Sequence, residues 1–186
     1  MNTMIISDLH GSYSAFQKIE DCMQKLSVDK LIILGDVLYH GPRNILPEGY
    51  DPKKLAERLN GYADMITAVR GNCDAEVDQA VLNFPIMAED VQATIDGTDF
   101  FLTHGHRPQR TESYLPEVEP GTVFASGHTH VKRIAPVATS SGTPIVLVNP
   151  GSPSLPKDGV ASFAFFADGL LTLRDLNGDT LSQMFV

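Results

Sequence analysis

Five of the six histidines in this 186-residue chain fall in three short segments: SDLHG with His10, LTHGHR with His104 and His106, and SGHTH with His128 and His130. Two aspartates, Asp8 beside His10 and Asp36 in LGDV, stand in the same way at the end of apolar runs. A mixed carboxylate and imidazole set suits borderline or hard divalent cations, and the lack of clustered thiolates argues against a structural zinc knuckle. The chemistry it points to is that of a reactive metal site. For a lone histidine, a hydrogen-bonded core or surface residue is the simpler reading. Here that reading must hold for each of the five, always beside Gly, Thr or Asp, and a shared site is the better account.

Other residues carry chemistry less directly. The stretch RGNCDAE places Asn72, Cys73 and Asp74 after the apolar run MITAV. Cys73 has no CxxC partner and no basic neighbour except Arg70, so a redox role has little support. Cys22 falls on the apolar side of a predicted helix and reads as a small buried hydrophobe. The loop VLYHGPRNILPEGY is long for a strand-to-helix connection, and such loops are often functional. Its Arg43 is a candidate to grip a phosphate oxygen bidentately or, equally, a solvated arginine. His40 is read as a loop anchor in preference to a proton donor. In NPGSPSLP the glycine, Gly151, and the prolines are conformational, while Asn149 and Ser152 are candidates to line a pocket.

The elements that must position these groups follow from periodicity. NTMIIS predicts a strand, SAFQKIEDCMQKL a helix with Phe16, Ile19, Met23 and Leu26 on one side, and KLIIL a second strand. DPKKLAERLNGY predicts a helix capped by Asp51 with Pro52 at its first position, and MITAV a third strand. Strands separated by helices argue for right-handed parallel crossovers with ligands beyond their carboxyl ends, here Asp8, Asp36 and Asn72. In the second half, runs flanking Asp96-Gly97, a Ser/Gly turn, Asp168-Gly169 and Asn177-Gly178 read as hairpins. The expected fold is α/β, with two packed mixed β-sheets and helices covering their outer faces.

The totals exclude several classes. A hydrophobic share of 42% and a charged share of 20% are globular values, without repeat, linker or low-complexity tract, so one domain over residues 1–186 is expected. A formal charge of −9 opposes binding of a nucleic-acid polymer and favours a small substrate. MNTMIISD turns acidic at Asp8, unlike a secretory leader, and no apolar run approaches a membrane span of roughly 18 residues, which predicts a cytoplasmic protein without a membrane partner.

Taken in order, D-x-H (Asp8, His10), G-D (Gly35, Asp36), G-N-x-D (Gly71, Asn72, Asp74), T-H-G (Thr103, His104, Gly105) and G-H-T-H (Gly127 to His130) resemble the calcineurin-like metallophosphoesterase superfamily. GDVLYHGPRN, RGNCD and NPGSPSLPK are similar to its small bacterial phosphodiesterase branch. The resemblance implies an αββα sandwich and two divalent ions. Asp8, His10 and His130 would hold one, Asn72, His104 and His128 the other, with Asp36 bridging. Manganese is the usual occupant in that branch, with zinc, iron, nickel or cobalt as alternatives.

The implied reaction is hydrolysis of a small phosphodiester by in-line attack of a hydroxide shared between the ions, without a covalent enzyme intermediate. Asp36 and Asn72 would serve catalysis as well as metal binding, with Arg43 and Cys73 as further catalytic candidates. His106 and Asp74 are candidates to orient the ligands, although Asp74 also fits as a cap of a helix in DAEVDQAV. Where the wider superfamily carries G-N-H-[DE], this chain has GNCD, so Cys73 replaces the histidine that protonates the leaving group. A phosphomonoesterase or protein phosphatase on the same ions is the second reading. A scaffold like the retromer subunit of this fold is the third. Self-association into a homo-oligomer stays open.

Overall fold

The computed structural model describes residues 1–107 and 115–186. Strand β1 (Thr3–Ile6), helix α1 (Tyr13–Lys25), strand β2 (Lys30–Ile33), helix α2 (Pro52–Asn60) and strand β3 (Ile66–Ala68) follow in that order, as the periodicity predicts. Ser12 caps α1 by accepting from the Ala15 N–H, and Asp51 caps α2 by accepting from Lys54 N–H with Pro52 in the first turn. The predicted apolar side of α1 is buried at Phe16, Ile19, Cys22 and Met23, so Cys22 is a core residue. Strands β1, β2 and β3 pair in parallel, Ile5 opposite Ile32 and Ile33 opposite Ala68.

After a short helix α3 (Glu76–Gln79) come β4 (Asp90–Ile95), β5 (Thr98–Thr103), β6 (Val123–Ala125), β7 (Arg133–Ala138) and β8 (Pro144–Asn149), then β9 (Ser162–Ala167), β10 (Leu170–Asp175) and β11 (Thr180–Phe185). The predicted hairpins β4–β5, β7–β8, β9–β10 and β10–β11 are all antiparallel. The second half is nevertheless not a separate meander. β9 pairs with β1, so the last three strands complete a six-stranded sheet in the order β11-β10-β9-β1-β2-β3. The other sheet runs β4-β5-β6-β8-β7, with β5, β6 and β8 parallel.

Alternation along the strands divides the core. Met4, Ile6, Leu31 and Ile33 pack with Phe16, Ile19 and Leu55 of the helices, while Ile5, Ile32 and Leu34 meet Phe100, Leu102 and Val123 between the sheets. On the far side of the five-stranded sheet, Phe101, Phe124 and Leu147 are covered by Leu115 and Val118. Among the described residues helices therefore line one outer face, and the segment carrying Leu115 covers the other. The carboxyl ends of both parallel triplets open on one rim. No described helix is long and apolar enough to cross a membrane.

Candidate metal centre

The turn after each of five strands delivers a side chain to this rim: Asp8 and His10 after β1, Asp36 after β2, Asn72 after β3, His104 after β5, and His128 and His130 after β6. Their backbones are unusual. Asp8, His10, Asp36, His128 and His130 have φ between 49° and 68°, the left-handed region that non-glycine residues avoid. Such strain persists only where the surroundings over-determine it, and it concentrates at functional sites. Gly127 permits the close approach of two turns, because a Cβ there would stand 1.9 Å from Ser7 Oγ and 2.9 Å from Asp8 Oδ2. At Gly71 a Cβ would lie 2.1 Å from Asp36 Oδ1.

Three imidazoles are held alike. Nδ1 of His10 faces the Tyr39 carbonyl at 2.9 Å, that of His104 the Leu34 carbonyl at 2.6 Å, and that of His130 the Leu155 carbonyl at 2.7 Å. Each ring donates its Nδ1–H to a carbonyl, which leaves the Nε2 lone pair pointing inward when the ring is neutral. Nε2 of His10 and Nε2 of His130 stand 3.2 Å apart. Asp8 Oδ1 lies 3.3 Å from His130 Nε2 and 3.6 Å from His10 Nε2. That oxygen is buried without a hydrogen-bond partner, whereas Oδ2 accepts from His128 N–H at 2.9 Å. Acceptor lone pairs converging on a common space, among them a buried carboxylate oxygen left unpaired, fit a cation.

Asp8, His10 and His130 form one group able to hold a metal ion, and Asp36, His104 and His128 a second. Asp36 Oδ2 stands between them, 3.7 Å from His10 Nε2 and 3.4 Å from His104 Nε2. Asn72 joins the second group through Oδ1, 3.1 Å from His104 Nε2. Without a cation, the carboxylates and imidazoles compensate each other. Burial opposes ionisation of Asp8 and Asp36, but the imidazoles of His10 and His130 hold Asp8, and that of His104 holds Asp36, below the usual carboxylate range. Burial likewise opposes charge on His104, yet Asp36 and Asp8 prevail and raise it to about 9. His10 is raised against its own burial by Asp8, while burial lowers His128.

Several expectations are corrected here. Of the two readings of Asp74 the cap falls away, because the N-cap of α3 is Ala75. The Asp74 carboxylate accepts instead from the N–H groups of Asp36 (2.9 Å), Val37 (2.8 Å) and Gly71 (2.7 Å), tying the Asp36 turn to the Asn72 turn. Burial pushes Asp74 above its ordinary value despite these donors. Asn149 and Ser152 are not on the described lining of the cleft above Asp36. Both are fully buried, Ser152 donating from Oγ to the Asp8 carbonyl at 2.8 Å and Asn149 from Nδ2 to the Gly127 carbonyl at 2.8 Å. They hold the two strained turns, as Ser154 Oγ also does at the Asp8 carbonyl. Nothing in the sequence marks these serines apart from their place after a strand.

His106 stays outside both ligand groups, its ring 5.3 Å from that of His104 and 6.2 Å from that of His128, a packing position. His40 sits edge-on to Tyr39 and Tyr50, as an anchor would. The loop 34–51 that carries it is tied down by Ser12 and Ser14, which both donate to the Glu48 carbonyl. Cys73 and Cys22 are free thiols. Cys73 Sγ lies within 4.8 Å of the ligand atoms of His10 and Asp36, and its N–H donates to Asp36 Oδ1 at 2.8 Å. Burial, then the Asp36 charge, push this thiol up to about 12. Arg43, Asn72, Cys73, His128 and His130 line one open cleft of ≈ 980 Å³ above Asp36, and Arg70 and Lys157, which the sequence did not single out, line it too.

Two parallel strand triplets delivering carboxylates and imidazoles to one rim of a two-sheet sandwich match the class of metal-dependent phosphoester hydrolases. Residues 1–167 match the sequence model of the calcineurin-like phosphoesterase superfamily domain, and the chain belongs to that superfamily. It is 45% identical over 184 residues to phosphodiesterase YfcE of Escherichia coli K12, covering 97% of this chain and 95% of the relative. The solved structure of the E. coli phosphoesterase Yfce superposes with a TM-score of 0.88 at 43% identity, covering 100% of this chain and 99% of that one. Vacuolar protein sorting 29 from Cryptosporidium parvum shares the fold, with a TM-score of 0.59 at 20% identity and coverage of 100% and 98%.

Proposed function

We propose that this chain is a dimetal phosphodiesterase acting on a small phosphate diester. Asp8, His10, Asp36 and His130 hold one divalent cation, and Asp36, Asn72, His104 and His128 the other. The observation that carries the reading is Asp8 Oδ1, a buried carboxylate oxygen with no hydrogen-bond partner, directed at imidazoles whose Nδ1 atoms are already engaged. The name of the E. coli relative, a phosphodiesterase, supports the substrate class. When bound, the two cations supply neutralisation of the phosphoryl charge and a more acidic water.

The chain's own groups do the rest. Asp36 turns Oδ2 toward His10 of one group and His104 of the other, so a single carboxylate would serve both ions. Asn72 contributes an uncharged oxygen, which leaves more positive charge for an anionic substrate than a carboxylate would. Arg43 on the cleft wall presents a planar fork suited to a phosphoryl oxygen. Cys73, a thiol reluctant to ionise, stands where an acid histidine would protonate a poor leaving group, which favours diesters with good leaving alcohols over monoesters.

Manganese is the proposed native occupant, ahead of zinc, iron, nickel and cobalt. The chain works as one domain over residues 1–186, and the two unpaired cysteines support a reducing, cytoplasmic compartment. Exposed Ile45 and Leu46 on the 34–51 loop support a homo-oligomer, which sedimentation velocity tests. The central experiment strips the purified protein of metal, restores manganese and follows bis(p-nitrophenyl) phosphate. Turnover is expected to depend on the metal and to fall at least about 100-fold in Asp36→Asn. No turnover with two metals bound, or equal turnover by the variant, would overturn the reading.

A further inference from the structure

The cleft above Asp36 departs from the charge balance of the rest of the molecule. The chain carries 23 acidic and 14 basic side chains, yet this cleft is lined by Arg43, Arg70 and Lys157. The acidic residues on its described lining are Asp36 and Asp74, 2% and 3% exposed, the first a candidate ligand and the second bonded to three backbone N–H groups. None of the three cations forms an ion pair among the described residues. The neighbouring lysine, Lys132, does, meeting Asp158 at 2.7 Å.

The three cations come from separate segments of the chain. Arg43 rides on the 34–51 loop. Arg70 follows β3, its Nε turned to the Asp74 carbonyl at 3.3 Å with the two terminal nitrogens left over. Lys157 is fixed at its backbone, where the N–H donates to the His130 carbonyl at 3.0 Å. A positive rim around a cleft concentrates anions, and arginine forks prefer phosphoryl or carboxylate partners.

The reacting phosphate does not require all three. On the dimetal reading above, the two divalent charges are opposed by Asp8, Asp36 and the attacking hydroxide, leaving about one net positive charge, which the single negative charge of a diester cancels. Arg70 and Lys157 are surplus to that balance, with Arg43 already taken by the reacting phosphoryl group on that reading. An uncharged alcohol arm lying among them would desolvate fixed charges without return. We infer that the substrate is a phosphodiester whose alcohol arm carries a further anionic group, held between Arg70 and Lys157 in the cleft. The inference rests on the diesterase reading and specifies its substrate class as polyanionic.

Two diesters that share the reacting phosphate and the leaving group test it: thymidine 5′-(p-nitrophenyl phosphate) and the same compound phosphorylated at its 3′ oxygen. The manganese-loaded protein is expected to favour the 3′-phosphorylated ester by about tenfold or more in kcat/KM, with the ratio shrinking as ionic strength rises. Lys157→Ala and Arg70→Ala are each expected to cut that ratio severalfold, and Lys157→Arg to retain it. Calorimetry supplies a readout free of turnover: thymidine 3′,5′-bisphosphate is expected to bind about tenfold tighter than thymidine 5′-monophosphate. Equal affinities, or a ratio unmoved by either alanine variant, would overturn the inference and leave the diesterase reading standing. Loss of turnover of every ester with the binding preference intact would overturn the diesterase reading instead.

Discussion

Asp74 and Cys73 are adjacent in sequence and do opposite work. The Asp74 carboxylate is the common acceptor for three buried N–H groups, two of them in the turn that presents Asp36. Asp74→Ala strands those donors, and each buried unsatisfied donor costs about 1–3 kcal/mol. Urea unfolding should show a loss of about 3 kcal/mol or more, with Asp74→Asn, which keeps one acceptor oxygen, losing less. Cys73 instead points its sulfur toward the ligand atoms of His10 and Asp36. Cys73→Ala is expected to keep two metals per chain by elemental analysis, and Cys73→His to shift preference from diester toward monoester analogues by supplying an imidazole acid; loss of both ions in the alanine variant would make Cys73 a ligand. The sequence made the ligand types legible because carboxylate and imidazole recur after strands. It left Asp74 between two roles, orienting the ligands or capping a helix, because an aspartate before a helical stretch reads as a cap and only the third dimension shows which N–H groups it meets.

At the scale of elements, both long helices and every described strand but the three-residue β6 were legible, because buried strands and capped amphipathic helices write their periods into the chain. What escaped was the sorting of strands between sheets. Local alternation marks β9 as a strand equally well beside β1 or beside β8, and the choice is made by the inter-sheet packing of Ala164 and Phe166 against Phe100. The strained turns escaped as well, since nothing in SDLHG or SGHTH shows that Asp8, His10, His128 and His130 adopt positive φ. Those turns depend on glycines in a way that variants can separate. At Gly71 an added Cβ meets Asp36 Oδ1 and the Asp36 nitrogen, at 2.1 and 2.3 Å, so Gly71→Ala must displace the shared ligand. Gly142, at φ 87°, has nothing within 4 Å of an added Cβ, and Gly142→Ala should cost only the left-handed backbone penalty of about 1–2 kcal/mol. Metal content measured on both proteins should fall in the first and stay at the parent level in the second; full metal content in Gly71→Ala would mean that the two turns do not need this contact.

For the molecule as a whole, the candidate ligands divide between the sheets. Asp8, His10, Asp36 and Asn72 follow strands of the six-stranded sheet, and His104, His128 and His130 follow strands of the five-stranded one. Both ligand groups therefore draw on both sheets, and bound cations would fasten at the rim what the apolar layer fastens in the middle. In that layer Phe100 of one sheet meets Phe166 of the other edge-on at 5.1 Å. The two fastenings should be separable. Phe166→Ala removes core contacts and should cost about 3–5 kcal/mol at any metal concentration. Metal stabilises by mass action, about 4 kcal/mol once free ion exceeds its Kd 1,000-fold, so Tm should rise with the logarithm of free manganese. Asp8→Asn, which removes a charge facing His10 and His130, should flatten that rise, whereas Phe166→Ala should lower Tm and keep its slope. A parent Tm indifferent to chelator and manganese would mean that the sheets are docked by the core alone and that the ions, however well held, contribute nothing to the frame that positions them.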